Sequence, residues 1–463
     1  MTLVSSDFVT LPVSVLSGGE RRLEAETYLS GGYGIRMQIE ARLRFERFRK
    51  LAAVWQPSRL KSTLVDPEDG LPYLTATQVF DVRPVARKWV ASSKIRDLDQ
   101  LFVEAGWIVV TRSGSVGDAL ITFTPHVEKV ISDDLLRVEV RRSEDRGRVY
   151  AFLRSKYGRM MVRSSKYGSV VKHLECDHLR EIPVPVIPAA LRKTLTSEID
   201  KVFELRDRAY AATLEAEQLY GQRFGTVARG VASEMGYTCR AAEMFYRQRR
   251  LDARHYDPQT MSVLSALANS KVRTAPLVKV STDIFGVPRF KHVYQEEGIA
   301  YLDSEDLFKL NPEITKFIPS VTKKDASLYY VERGWVLMAC SGQLYGLNGS
   351  VVLADAWQEK KIVSNHVVRI VPKDIRPGYL AMVLGHPDLG RPLVQRAAFG
   401  SEVPEIAPEG LKSVPVPRLG SGEEAIADLV EGACAMRAEA DSKEDAAVRS
   451  LESHLERSLM ATS

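Results

Sequence analysis

The chain repeats itself, and that repetition limits its folds more than any other feature. Arg22-Leu23-Glu24-Ala25-Glu26-Thr27-Tyr28 recurs 228 positions later as Arg250-Leu251-Asp252-Ala253-Arg254-His255-Tyr256. At the same shift Pro72-Tyr73-Leu74 meets Ala300-Tyr301-Leu302, Phe80 meets Phe308, Glu104-Ala105-Gly106-Trp107 meets Glu332-Arg333-Gly334-Trp335, and Ser113-Gly114 meets Ser341-Gly342. The shift then becomes 232. There Ile131-Ser132-Asp133 meets Val363-Ser364-Asn365, Gly158-Arg159 meets Gly390-Arg391, Tyr167-Gly168-Ser169 meets Phe399-Gly400-Ser401, and Ile182-Pro183-Val184-Pro185 meets Val414-Pro415-Val416-Pro417. Matches in one order with one change of register describe two copies of one module. The sequence upstream of Arg21 has no partner in the second copy.

Each copy has an Arg-rich helical entry, with Ile35, Ile39 and Leu43 at helical spacing in the first. Short runs rich in Val, Ile, Trp and Tyr follow, such as Trp107-Ile108-Val109-Val110-Thr111 and Trp335-Val336-Leu337-Met338, and these predict strands. The Pro-Val-Pro exits can neither continue a helix nor occupy a central strand, which predicts an extended linker. A long helix follows each exit. Leu191, Leu195, Ile199, Val202, Leu205, Ala209, Ala212, Ala216 and Leu219 advance by threes and fours. So do Ile426, Val430, Ala433, Met436, Ala440, Ala447, Leu451 and Leu455, with one polar gap. A narrow apolar seam flanked by charge predicts two helices packed as an antiparallel coiled coil. The expected fold class is therefore α+β: two duplicated mixed α/β modules, each followed by a long helix.

Catalytic signatures are missing from the sequence. There is no phosphate-binding G-x-x-x-x-G-K-[ST] loop and no Gly-rich dinucleotide fingerprint. Asn311-Pro312-Glu313 lacks the second proline and the aromatic residue that grip a flipped base. Cys176, Cys239, Cys340 and Cys434 form no C-x-x-C pair, which argues against a disulfide framework and a zinc site and predicts reduced, mostly buried thiols. No secretory leader and no apolar run of about 18 residues occurs, so the expected location is the cytoplasm, away from membranes.

The positive signal is charge. Residues 1–230 carry a net +7 and the remainder −2. Between Arg141 and Lys172 lie ten basic residues, among them Arg142, Arg146, Arg148, Arg154, Lys156, Arg159, Arg163 and Lys166, interleaved with Tyr150, Tyr157 and Tyr167. Lys and Arg neutralise phosphates, while Tyr and Ser hydrogen-bond to phosphates or base edges. In both copies a Trp-led strand runs into a small polar loop, Thr111-Arg112-Ser113-Gly114-Ser115 and Ser341-Gly342-Gln343-Leu344-Tyr345. Arg112 suits guanine and Gln343 suits adenine. Simple hairpin turns would have the same composition. The framework residues agree between copies and the loop residues differ, as two copies of one scaffold reading two sequences would.

Taken together, the Arg-Leu-Asp/Glu-Ala…Tyr entries, the Gly-Trp strand with its Ser-Gly loop and the Gly-Ser segment leading to a Pro-x-Pro exit and long helix resemble the specificity (S) subunit of type I restriction–modification systems. The resemblance spans nearly the whole chain and rests on motif order and duplication. It departs at Glu24 against Asp252 and at Glu402 against Val170. It implies a first target recognition domain over 1–188, a spacer helix over 189–235, a second recognition domain over 236–420 and a second spacer helix over 421–463. It also implies a non-catalytic subunit that recognises a bipartite double-stranded DNA target and docks two DNA methyltransferase (modification) subunits, with ATP-dependent restriction subunits as further partners. S-adenosylmethionine, ATP and Mg would belong to those partners, and this chain would carry no cofactor or metal of its own. The expected DNA-binding residues are Arg112, Ser113, Ser115, Lys156, Arg159, Lys166, Tyr167, Ser169, Lys172 and His173 in the first copy. In the second they are Ser341, Gln343, Tyr345, Arg396 and Ser401. Helices of about 30 residues would span about 45 Å, somewhat more than one turn of DNA. The alternatives are a specificity subunit of a related methylation-only or phage-defence system, a self-contained DNA-modifying enzyme, and a structural scaffold without DNA affinity.

Overall fold

A computed structural model describes residues 28, 31–61, 63–95, 97–164, 173–225, 227, 236–246, 250–289, 293–319 and 327–461. The chain divides into two compact units, Met1–Asp207 with Glu439–Ser463, and Arg208–Ala438.

In the first unit the helix Gly31–Arg42 leads into the strand Phe45–Arg47. An antiparallel four-stranded sheet follows in the order Ala52–Trp55, Leu135–Val140, Ile108–Thr111, Ala119–Ile121. Ile108, Val109 and Val110 are all fully buried, so both faces of this inner strand are covered and its sequence is an unbroken apolar run. A second sheet has the order Leu64–Val65, Lys88–Val90, Leu71–Leu74, Val130–Ile131, and its last pair is parallel.

The second unit repeats this order. Ser281–Phe285, Val367–Pro372, Val336–Ala339 and Val351–Leu353 form the antiparallel sheet. Phe317–Ile318, Ile299–Leu302 and Ile362–Val363 form the smaller one, again with a parallel last pair. The duplication extends to backbone detail. Gly106 and Gly334 adopt φ of 91° and 89°, which glycine tolerates best, and their N–H groups donate to the carbonyls of Thr122 and Ala354 at 2.7 and 2.9 Å. Trp107 meets Trp55 edge-on at 5.0 Å, and Trp335 meets Phe285 edge-on at 5.6 Å.

The proline exits are not free linkers. Pro183–Pro185 pairs antiparallel with Phe45–Arg47, and Pro415–Arg418 with Arg273–Pro276, each making a two-stranded ladder. A two-stranded ladder is all edge, where proline's missing N–H costs no inner hydrogen bond, and the central Val184 and Val416 are fully buried.

The first long helix is Ala189–Gly221 and the second Gly422–Ala461. The first is shorter than the interval 189–235, because a 3-10 turn at Gln222–Phe224 follows and Gly225 takes φ of 66°. The helices run antiparallel. In the first unit Arg206 meets Asp441 and Glu444, and in the second Thr213 meets Arg437. Leu195, Ile199, Val202, Leu205, Ala209 and Ala216 are buried on one helix, and Ile426, Ala433, Ala440, Ala447, Leu451 and Leu455 on the other. The polar gap in the second seam holds Glu444, which is buried.

No disulfide links the cysteines. Cys340 and Cys434 are buried, Cys176 is half-buried and Cys239 is exposed, so only two of the four follow the expectation of burial. No helix among the described residues is long and apolar enough to cross a membrane.

Candidate nucleic-acid interface

In each unit the inner strand turns back through a loop, 112–118 after Ile108–Thr111 and 340–350 after Val336–Ala339. The loops share their roots. Gly117 N–H donates to Thr111 O at 3.0 Å and Gly349 N–H to Ala339 O at 2.8 Å, with φ of 91° and 77°. Gly114 and Gly342 also lie in the left-handed region. The first pair of glycines is related by 232 positions and the second by 228. The four extra residues of the second module therefore lie inside this loop.

A buried arginine braces the loop end of each sheet. Arg137 donates to the carbonyls of Ser132 (2.7 Å), Leu135 (2.5 Å), Ile131 (2.8 Å) and Leu101 (3.2 Å). Arg369, 232 positions on, donates to Ser364 (3.0 Å), Val367 (2.5 Å) and Val363 (2.6 Å). Both are fully buried, and burial pulls each guanidinium down to about 10. Both remain charged at neutral pH, with backbone carbonyl dipoles in place of water.

Each loop carries a serine as its second residue. Ser113 Oγ lies 2.8 Å from His173 Nδ1 and 3.4 Å from Asp134 Oδ1. Ser341 Oγ lies 2.9 Å from His366 Nδ1. Arg112 is half-buried and bridges to Glu175 at 2.7 Å, whereas Ser115 is exposed. Gln343 and Tyr345 are exposed, and Gln343 Nε2 donates to Glu402 O at 3.0 Å. Ser401 is exposed on the segment 399–405, which closes on itself through reciprocal Phe399–Glu405 backbone hydrogen bonds. Ser113, His173, Ser341, Gln343 and Ser401 thus lie at or beside the loops.

Other expected contact residues are held elsewhere. The Lys156 ammonium pairs with Glu456, and its N–H donates to Glu452 at 2.6 Å. Arg159 is half-buried. Arg396 Nε donates to His255 O at 3.0 Å. Lys166, Tyr167, Ser169 and Lys172 lie outside the described residues. Much of the basic stretch is occupied internally. Arg148 is buried on the carbonyls of Pro185 and Val184 and on Glu46, Arg154 is buried against Glu444, and Arg146 bridges to Asp200. Tyr150, expected beside phosphates, is fully buried with its hydroxyl on Glu444.

The chain is similar to solved S subunits of type I restriction–modification systems. The S subunit from M. genitalium matches at 11% identity and a TM-score of 0.35, covering 90% of this chain and 96% of that one. The HsdS subunit from Thermoanaerobacter tengcongensis matches at 13% and 0.26, covering 90% and 96%. A structure described as showing complex assembly and conformational transition of the type I R-M system matches at 15% and 0.27, covering 90% and 97%. No protein-family model matches the chain, and no curated protein matches it.

Sequence reasoning missed Arg137, Arg369 and His366. The arginines sit in Leu-Leu-Arg-Val and Val-Val-Arg-Ile, 232 positions apart, which was the available signal. Among the described residues no cluster of three or more His, Cys, Asp or Glu could hold a metal.

Proposed function

We propose that this chain is a non-catalytic DNA-specificity subunit. Each module reads one half of a bipartite duplex target through the loop at the end of its antiparallel sheet. The two long helices dock two methyltransferase subunits, and ATP-dependent restriction subunits join that complex. S-adenosylmethionine, ATP and Mg then act on the partners. One observation carries the reading: the two frameworks agree down to the carbonyl-bound Arg137 and Arg369, while the loops at the same end of the sheets differ in sequence and length. Base contacts specify and phosphate contacts position, so a conserved frame with divergent tips suits two readers of different sequences. Since so many arginines are bound internally, the grip on phosphates is shared with the partners.

The test is selection from randomised duplexes by the chain together with its methyltransferase, followed by sequencing. A split motif with a fixed gap is expected. A continuous motif, no enrichment, or methyl transfer by the purified chain alone would overturn the proposal.

A further inference from the structure

Each loop serine stands between a carboxylate position and an imidazole position, and the two modules exchange them. In the first module Asp134 and His173 flank Ser113. In the second His366 and Glu405 flank Ser341, His366 through its imidazole and Glu405 through a backbone bridge. The main chain fixes the correspondence. The N–H groups of Asp134 and His366 donate to the hydroxyls of Ser132 and Ser364, both at 3.2 Å. The N–H groups of Leu174 and Ile406, each one residue past the other flank, donate to the carbonyls of Arg112 and Cys340 at 3.0 and 2.8 Å. His366 therefore occupies the place of Asp134, and Glu405 the place of His173. Asp134, His366 and Glu405 are exposed and His173 is half-buried.

Stability does not explain the exchange, because polar pairs at the surface contribute little. Recognition chemistry does. A serine hydroxyl on Nδ1 orients the ring and selects its tautomer. With Ser341 donating to Nδ1 of His366, and Ser113 to the nearer Nδ1 of His173 at 2.8 Å, the ring proton sits on Nε2, a donor suited to the O6 and N7 acceptors of guanine. A carboxylate accepts from the N4 amino group of cytosine. One imidazole and one carboxylate, on opposite flanks of a serine, match the two halves of one G·C pair in the major groove.

We propose that Ser341, His366 and Glu405 in the second module, and Ser113, His173 and Asp134 in the first, each read one G·C pair. Exchanging the flanks makes the two modules demand opposite strand orientations of that pair, each relative to its own framework. The serines are positioning residues and the flanking side chains make the base contacts. This rests on the DNA-reading function proposed above.

The same selection from randomised duplexes, using the complex with methyltransferase, tests it. The wild-type chain should enrich a fixed G·C pair in each half-site. His366→Ala should lower the preference at one position of one half-site by on the order of tenfold and leave the other half-site unchanged. Glu405→Gln, at an exposed backbone-bridged position, should weaken the same position and serves if the alanine variant does not assemble. Combining His366→Asp with Glu405→His should invert the preferred pair there. A wild-type split motif that these variants leave unaltered overturns this inference and leaves the proposed function standing. A wild-type chain that selects no split motif overturns both.

Discussion

Arg206 Nη2 lies 2.7 Å from Glu444 Oε2, and neither side chain has more than marginal contact with solvent. Asp441 joins Arg206 at 2.8 Å, Arg154 approaches Glu444 at 3.4 Å, and the Tyr150 hydroxyl donates to the same carboxylate. Desolvated charges persist only because they are paired, so removing one member leaves others buried without compensation. Glu444→Ala should cost about 3–5 kcal/mol in urea unfolding. Lys443→Ala, which removes a more exposed pair with Glu198 one residue earlier, should cost less than about 1 kcal/mol.

His126 is fully buried, with Nε2–H donating to Val79 O at 2.8 Å and Nδ1 accepting from Phe123 N–H at 3.1 Å. A second ring proton would face an N–H donor in a dry site, and burial pulls the imidazole down to about 4 from its usual 6.5. The depressed value means the unfolded chain takes up a proton first as pH falls. This group's contribution is complete above about pH 6.5 and is lost progressively down to about pH 4. The loss amounts to about 3 kcal/mol. Denaturant midpoints measured across that window should follow this slope, and His126→Asn, though less stable at neutral pH, should flatten it.

Gly158 and Gly390 are equivalent residues that admit no side chain. A Cβ at Gly158 would stand 1.9 Å from Phe152 O, and one at Gly390 would stand 2.0 Å from Val383 O. Either alanine substitution should cost at least about 3 kcal/mol by forcing backbone apart. Gly114→Ala meets no neighbouring atom, so only its backbone conformation resists, and a loss of about 1 kcal/mol is expected. Thermal unfolding separates the two cases.

Arg369→Lys keeps the charge but not the planar fork that reaches three carbonyls. A loss of about 2–3 kcal/mol is expected from the unsatisfied carbonyls. Because those carbonyls lie on either side of His366, base preference in the second half-site should broaden while the first stays sharp. Arg137→Lys should do the reverse. Sequencing of selected duplexes reads both.

The duplicated architecture was legible in the sequence because packing demands are strict: Gly106 and Gly334 need a left-handed backbone, and the Trp107 and Trp335 edges need an aromatic partner. The helix seams were legible for the same reason, except at Glu444, where a charge that reads as solvent-facing is buried. The basic run from Arg141 to Lys172 misled in part. Charge in a sequence does not distinguish an arginine facing water from Arg148 or Arg154, whose heads satisfy buried carbonyls and carboxylates. The exchange of His366 for Asp134 was hidden because comparison by likeness discards unlike residues. The proline exits read as linkers in the sequence because a two-stranded ladder needs a partner more than 130 residues away.

The first unit is assembled from two stretches of chain, and Glu439–Ser463 is translated after all of Arg208–Ala438. On the ribosome the second unit can close while the first still lacks the strip bearing Asp441, Glu444 and Leu451. A premature stop near residue 438 would therefore cripple the half of the protein that was made first.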